Sequence, residues 1–226
     1  MVVRAAQEIM MFVIALLVSL ATAPPQEQRI IGLIEIPALF GVLENDRPVP
    51  TVPDSVQPIE LRQSPDPAAT VVARIVASAI EAREHGYEQP SAVVYEVSNN
   101  GWYLLSYTLD GHARKAWLDP AHAGVFRDVA TLLQDRLSYL TREWDRQLYA
   151  SPAGDPAARQ IPSDMIEPFT IIADHAVQNG EDWFLVVVLG ASPCEGVSHP
   201  PVVSAGWVPA HTTSGQLQVW YYSRGC

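Results

Sequence analysis

Basic residues are scarce in this chain of 226 residues. It has 14 lysine and arginine residues against 25 aspartate and glutamate residues, which gives a formal net charge of -11. Lys115 is its one lysine. Binding to nucleic acid depends on Lys and Arg side chains that neutralise phosphates, so the composition argues against a nucleic-acid partner. The same acidity favours solubility and repels anionic surfaces.

Long apolar runs are equally scarce, and the clearest one lies near the N-terminus, at residues 10–18. Arg4 precedes this run, and the small residues Ser19 and Ala21 follow it, which is the order found in a secretory signal peptide. The run is shorter than the roughly 20 residues that a helix needs to span a bilayer. We therefore interpret residues 1–23 as a signal peptide, with an uncleaved membrane anchor as the alternative. Both interpretations place the protein in the periplasm or outside the cell.

Cysteine is rare as well, with two residues, Cys194 and Cys226. An even, minimal number of cysteines in an exported protein indicates one disulfide bond. A bridge to Cys226 would hold a terminal strand that otherwise frays, and the chain-entropy model gives a stabilisation of roughly 3–4 kcal/mol. The alternative is a catalytic Cys194 paired with His199 or His211. We expect the disulfide, because no nucleophile motif surrounds Cys194.

Motifs for metals, cofactors and catalysis are missing from the sequence. The chain has six histidines, but none stands at ligand spacing from a cysteine or a carboxylate, so we expect no metal site. A Ser-His-Asp order, a phosphate-binding glycine loop and a dinucleotide fingerprint are also missing. We therefore expect no cofactor and no enzyme activity. His122 and His211 both follow a Pro-Ala pair, which favours a structural role in a turn.

What the chain does contain is an internal repeat. A Leu-x-x-Ser-Pro segment, an aromatic-led apolar run and a tryptophan segment that ends in Ala-His each occur twice, in the same order. This predicts one small structural unit used twice. Such a duplicated unit commonly serves as a binding scaffold. The landmarks are Leu61 to Pro65, Trp102 to Leu105 and Trp117 to His122 in the first half, and Leu148 to Pro152, Trp183 to Val186 and Trp207 to His211 in the second.

Short strands separated by turns are predicted in both halves. Asn-Gly pairs at 100–101 and 179–180 and an Asp-Gly pair at 110–111 indicate tight hairpins. Between the halves, the apolar positions from Val125 to Leu133 fit an amphipathic helix. The predicted strands are residues 59–61, 70–80, 92–97, 102–108 and 115–118, then 138–141, 169–173, 183–189, 205–208 and 219–222. Strands at this spacing are typical of a small all-β barrel or sandwich.

Prolines are concentrated between residues 24 and 58. Because proline fixes φ and has no N–H group, a helix and a central strand are both disfavoured there. We interpret residues 24–58 as a Pro-rich extended arm that includes one short strand at 32–36. A flexible linker is the alternative for the rest of this segment.

The second half, with an aromatic-led strand followed by Gly206-Trp207-Val208, resembles the bacterial SH3 domain family. The first half matches less well, since Ala116-Trp117-Leu118 replaces Gly-Trp-Val. The resemblance implies a mainly all-β protein with two small SH3-like barrels in tandem, used in the cell envelope to bind peptides or cell-wall material. The predicted organisation is a leader at 1–23, the arm at 24–58, a first barrel at 59–124, a connecting helix at 125–135 and a second barrel at 136–226.

Aromatic side chains are the candidates for a ligand groove, because they give a large contact area at a small entropic cost. The candidates are Trp117, Trp207, Trp102, Trp183 and Tyr222. Packing in the core of a small barrel is the competing interpretation. We favour core packing for Trp102 and Trp183, because each leads an apolar strand.

These observations favour an exported, non-catalytic binding module of the bacterial cell envelope. Its expected partner is a peptide, a peptidoglycan-derived ligand or an envelope protein, and a membrane is expected only through an uncleaved leader. One alternative is a cell-wall hydrolase or peptidase that uses Cys194 with a histidine. Another is a structural accessory subunit of an envelope complex.

Overall fold

A computed structural model describes residues 29–40, 43–44, 47–48, 58–196 and 199–225. The predicted leader at 1–23 and Cys226 lie outside the described residues, so the signal peptide and the disulfide stay predictions. Within the described ranges, neither helix has the length and apolarity needed to cross a membrane.

The described chain is mainly β, as predicted. Its elements are β1 (Gly32–Ile34), α1 (Pro37–Phe40), β2 (Leu43–Glu44), β3 (Arg47–Pro48), β4 (Ile59–Arg62), β5 (Val71–Ile75), β6 (Ala82–Gly86), β7 (Gln89–Val97), β8 (Tyr103–Leu109), β9 (His112–Leu118), β10 (Phe126–Asp128), α2 (Val129–Leu133), β11 (Leu137–Leu140), β12 (Phe169–Gln178), β13 (Glu181–Leu189), β14 (Val202–Pro209) and β15 (Val219–Tyr221). Single 3₁₀ turns lie at Ala77–Ala79, Pro120–His122 and Pro193–Glu195.

The strands form two large antiparallel sheets and a small pair, β2–β3. The first sheet has eight strands in the order β10-β1-β7-β8-β9-β4-β5, with β6 paired to β7. The second sheet has five strands in the order β14-β13-β12-β11-β15. Two predicted hairpin turns are confirmed, since Asp110 and Gly111 have φ of 53° and 77°, and Asn179 and Gly180 have 56° and 75°. Positive φ at both central residues is the geometry that Asp-Gly and Asn-Gly pairs favour.

The sequence repeat corresponds to a repeat in strand order. The first sheet contains the strand order β10-β1-β7-β8-β9-β4. The second sheet has the corresponding order β15-β11-β12-β13-β14. The place of β4 is taken there by the segment at Tyr149, which bridges to Trp207. The registers also agree. Leu104 lies opposite Trp117, and Leu185 lies opposite Trp207. Trp117 in turn lies opposite Arg62, as Trp207 lies opposite Tyr149.

Two elements of the first repeat lie outside its predicted bounds of 59–124. Strand β1 belongs to the predicted arm, yet it pairs with β10 on one side and β7 on the other. It contains no proline, so the rule that disfavoured a central strand does not apply to it. Strand β10 occupies the start of the predicted helix 125–135, and α2 is correspondingly short. The Asp128 carboxylate caps it by accepting a hydrogen bond from the Thr131 N–H at 2.7 Å.

Strand β6 was not predicted. Its residues lie between the predicted strands 70–80 and 92–97, where His85-Gly86 favours a turn, but both residues belong to this strand. The turn itself lies one step further on, at Tyr87 and Glu88, where Glu88 has a φ of 53°.

The buried side chains form two hydrophobic cores. The first core lies within the first repeat and includes Ile34, Leu61, Val94, Leu105 and Leu118. The second core combines the second repeat with α2 and two residues of the first sheet. It includes Phe184, Val186, Val188, Val208, Leu140, Val219, Tyr221, Val129, Leu132, Leu133, Leu33 and Val93.

Strands β1 and β7 are therefore buried on both faces. Successive residues of a strand point to opposite faces, so Leu33 and Val93 enter the second core while Ile34 and Val94 enter the first. Burial on both faces explains why Leu33–Ile34 of β1 and Ala92–Val94 of β7 are continuously apolar rather than alternating. The two repeats thus share one of their cores.

Candidate functional site

An open cleft of about 570 Å³ lies where the two sheets meet, and we call it the junction cleft. One wall comes from β6 of the first repeat, and the others come from β11, β15 and their flanking residues. The lining residues are Arg83, Glu84, Tyr139, Glu167, Trp220, Tyr221, Tyr222 and Ser223.

Tyr139, Trp220, Tyr221 and Tyr222 are the aromatic residues of the wall contributed by the second repeat. Phe169 does not line the cleft but stacks on Tyr222. The ring centroids of Tyr139 and Tyr222 are 4.8 Å apart, and those of Phe169 and Tyr222 are 5.4 Å apart at an interplanar angle of 24°. Strand register places Tyr139 opposite Phe169 on β12 and opposite Trp220 on β15. Tyr222 follows two residues after Trp220, so it lies on the same face and reaches both the Tyr139 and Phe169 rings. Cross-strand neighbours on one face are close enough for their rings to touch.

Arg83 supplies a cation on the other side of the cleft. Its guanidinium carbon lies 4.9 Å from the centroid of the Trp220 ring, a favourable cation–π distance. Among the described residues Arg83 forms no salt bridge. The Arg83 charge is therefore available to a ligand.

The cleft carboxylates are already engaged. Glu84 accepts hydrogen bonds of 2.9 Å from Arg224 Nε and from the Ser223 hydroxyl. The bond from Arg224 is the main reason why the pKa of Glu84 is below its usual value. Glu167 pairs with Arg142 at 3.1 Å. Arg83 is thus the cleft's charged group without an ionic partner in the described chain.

The two tyrosine hydroxyls add neutral hydrogen-bonding groups. Burial is the main cause that raises the pKa of Tyr139 and of Tyr222, so both phenols are protonated at neutral pH and can donate. Together the cleft offers stacking surfaces, hydroxyl donors and one cation. This set of groups suits binding. Within the described ranges, no cluster of three or more His, Cys, Asp or Glu side chains could hold a metal ion.

The predicted site residues are distributed over both sheets. Tyr222 lines the junction cleft, whereas none of the four candidate tryptophans does. Trp102 and Trp183 are only 4% and 8% exposed, and Trp183 packs edge-on against Tyr149 at 5.4 Å. Their placement agrees with core packing. Trp117 and Trp207 are half-buried on β9 and β14, in different sheets, so the four tryptophans do not form one groove.

Sequence reasoning missed Arg83 and Tyr139 as cleft residues, and it missed Phe169 as the ring that stacks on Tyr222. Arg83 lies on the unpredicted strand β6. Tyr139 and Phe169 lie on predicted strands, but their contact depends on the pairing of β11 with β12. The alternation Leu137, Tyr139 on one face of β11 was a signal that these side chains share a surface.

His211 has a structural position in the second repeat. Its Nδ1 atom lies 3.2 Å from Glu181 Oε1, and its Nε2 atom lies 2.8 Å from the carbonyl oxygen of Ile30. Both ring nitrogens are therefore engaged, which argues against His211 as the partner of a catalytic Cys194. His122, its counterpart after the first Pro-Ala pair, is exposed.

Comparisons with protein-family models, with curated proteins and with solved structures find no match for this chain. The resemblance to the bacterial SH3 family therefore rests on the tryptophan landmarks of the sequence.

Proposed function

We propose that this protein is an exported, non-catalytic binding module of the bacterial cell envelope, built from two SH3-like units that share a core. The repeated strand order and the repeated Trp register support the two units. The observation that carries a binding role is the pair of cleft rings Tyr139 and Tyr222, backed by Phe169, in one cleft with Arg83, whose guanidinium has no ionic partner among the described residues.

The ligand that fits this cleft is a peptide, either a peptidoglycan stem peptide or an extended segment of an envelope protein. Aromatic rings stack on the flat faces of peptide groups and proline rings. Tyrosine hydroxyls donate to peptide carbonyls, and Arg83 binds a carboxylate by charge-assisted hydrogen bonds. Stem peptides carry both carbonyls and carboxylates. The acidic surface of the protein, with its net charge of -11, makes a local cation important for attracting such a ligand.

The direct test is a titration of the full chain with soluble stem peptides, followed by NMR and by calorimetry. Replacing Tyr222 by Ala removes the ring that contacts both Tyr139 and Phe169, so affinity should fall at least about tenfold, as for an aromatic hot spot. Arg83→Gln should weaken binding of peptides with a free carboxylate and leave amidated peptides unaffected.

Trp117→Ala is the matched control, because Trp117 is another half-buried aromatic but lies on β9, outside the cleft. It should leave the affinity unchanged while the melting temperature reports its effect on folding. Binding that survives Tyr222→Ala and is lost in Trp117→Ala would move the ligand to the first sheet and reject the cleft.

A further inference from the structure

The second sheet has an apolar outer face, on the side opposite the second core. We define this outer face by the row Tyr222, Leu137, Ile171, Val187 and Ala205, which runs across all five strands or their ends. Strand register places these residues side by side, with Leu137 opposite Ile171, Ile171 opposite Val187 and Val187 opposite Ala205. Tyr222 joins the row through the bond from its N–H to the Leu137 carbonyl, 2.9 Å long. Ile171 is 48% exposed.

The internal repeat shows what covers this face elsewhere in the chain. In the first sheet Leu33 lies opposite Val93, on the strands that correspond to β11 and β12. The pair Leu33–Val93 therefore corresponds to the pair Leu137–Ile171. Leu33 and Val93 are 1% and 0% exposed, because the core of the second repeat packs over them. The same face is thus buried by a β unit in the first repeat and uncovered in the described part of the second.

The uncovered row is also the more apolar of the two. Its counterparts in the first sheet include the charged residues Arg127 and Lys115, whose places are taken by Tyr222 and Ala205. Single exposed apolar residues are ordinary, but a contiguous apolar and aromatic row marks an interaction surface. Because the row contains no charged residue, two copies of it can meet without burying a charge.

We propose that the outer face is the interface of a homodimer, in which a second copy of this chain docks its own outer face by two-fold symmetry. Within the chain, the corresponding face of the first repeat is covered by the core-facing side of a β sheet, and a second copy also supplies a β sheet, here through its outer face. A two-fold contact brings identical patches together, and a row without charge meets its own copy without like-charge repulsion. The net charge of -11 disfavours an anionic membrane as the occupant.

The dimer and the peptide cleft are adjacent but independent. Tyr222 belongs to both surfaces, so a second copy would lie next to the open side of the junction cleft. Dimerisation does not require a ligand, and ligand binding does not require a dimer. The two proposals therefore fail separately.

The test is sedimentation equilibrium of the full chain over a series of concentrations, with Ile171→Glu as the variant. A carboxylate at the centre of the row is buried twice in a two-fold dimer, so the dissociation constant should rise at least roughly 100-fold. Val177→Glu is the matched control. Val177 lies on the same strand and is 63% exposed, but it pairs with Asp182 beyond a bulge and points to the opposite face. It should remain dimeric.

Ala205→Glu is a second variant, because Ala205 is exposed in the single chain and tolerates a longer side chain without harm to the fold. It should also yield monomers. A wild-type chain that is monomeric at all concentrations overturns the proposal. Dimers that persist in both Glu variants also overturn it. Two further results would assign the face to another occupant and overturn it as well. One is a monomer in which the chain's own N-terminal segment protects Ile171 from carbene labelling, and the other is a monomer that floats with phosphatidylethanolamine–phosphatidylglycerol vesicles through Ile171.

Discussion

The Nε2 atom of His211 lies 2.8 Å from the carbonyl oxygen of Ile30, a residue 181 positions earlier in the chain. At the other end of β1, a second buried histidine, His85, has Nε2 3.6 Å from Glu35 Oε1 and Nδ1 2.8 Å from the Ser91 hydroxyl. Strand β1 is thus bounded at both ends by a histidine of another element. This arrangement fixes the N-terminal part of the described chain against both sheets.

Stability should decline as the solution becomes acidic. Burial is the largest cause that lowers the pKa of His85 and of His211 below the usual 6.5. In the unfolded chain these residues take up protons at a higher pH than in the folded chain, so stability is fully present above pH 6.5 and is lost as the pH falls below it. Urea unfolding at about pH 8 and about pH 5 measures this loss.

The variants His85→Gln and His211→Gln should each reduce the pH dependence, while each also lowers stability at neutral pH. His112→Gln is the control, since His112 is exposed on β9. If the variant that carries both substitutions kept the same pH dependence of stability, other groups would be the cause of the acid sensitivity.

Leu33→Ala should destabilise both repeats together. Leu33 is part of β1 in the first sheet but packs in the core of the second repeat, and loss of a buried leucine side chain costs about 2–5 kcal/mol. Chemical unfolding followed by far-UV circular dichroism and by tryptophan fluorescence should give one coincident transition, shifted to lower denaturant. Val72→Ala, on an exposed position of β5, should shift it by no more than about 0.5 kcal/mol. Two separate transitions would contradict a shared core.

Gly206→Ala should destabilise the protein although the first repeat has Ala116 at the matching place. A Cβ atom at Gly206 would lie 2.9 Å from the Leu148 Cβ and 3.1 Å from the Tyr149 carbonyl oxygen. Such overpacking costs about 1–3 kcal/mol. Ala116 is itself buried, so Ala116→Gly should cost roughly 1 kcal/mol through chain flexibility. Melting temperatures of the two variants check this, and an unaffected Gly206→Ala variant would show that Leu148 can move away.

Reduction should lower the melting temperature of the whole protein in a single step. The predicted bridge from Cys194 to Cys226 contributes roughly 3–4 kcal/mol in the chain-entropy model. Because the repeats share a core, its loss should destabilise both and not the second alone. Calorimetry with and without reductant measures the shift, and alkylation of the unreduced, unfolded protein counts thiols. Two labelled cysteines per chain before reduction would disprove the bridge.

Local sequence signals predicted the hairpins well, because an Asn-Gly or Asp-Gly turn and the strands beside it are determined by neighbouring residues. Asn179 and Gly180, for example, adopt the backbone geometry that their residue types favour. Strand β1 was predicted as a short strand of an arm. Its internal position depends on β7 and β10, which lie far along the chain, and no local pattern encodes that pairing.

The junction cleft escaped prediction for the same reason. Its shape depends on contacts such as that between Ser223 and Glu84, which are 139 positions apart. Tyr222 was selected for its aromatic character and does line the cleft. Trp117 and Trp207 were selected by the same criterion, but their repetition reflects a repeated strand pairing. Trp117 lies opposite Leu104, two residues after Trp102, and Trp207 lies opposite Leu185, two residues after Trp183.

The burial of Leu33 and Val93 beneath the second repeat has a consequence for partial chains. A ribosome that has synthesised only the first repeat, or a protease that has removed the second, leaves an apolar surface facing water. Such fragments should aggregate or be bound by chaperones. The two halves are therefore not independent in stability, and a cut or truncation between them should destabilise both.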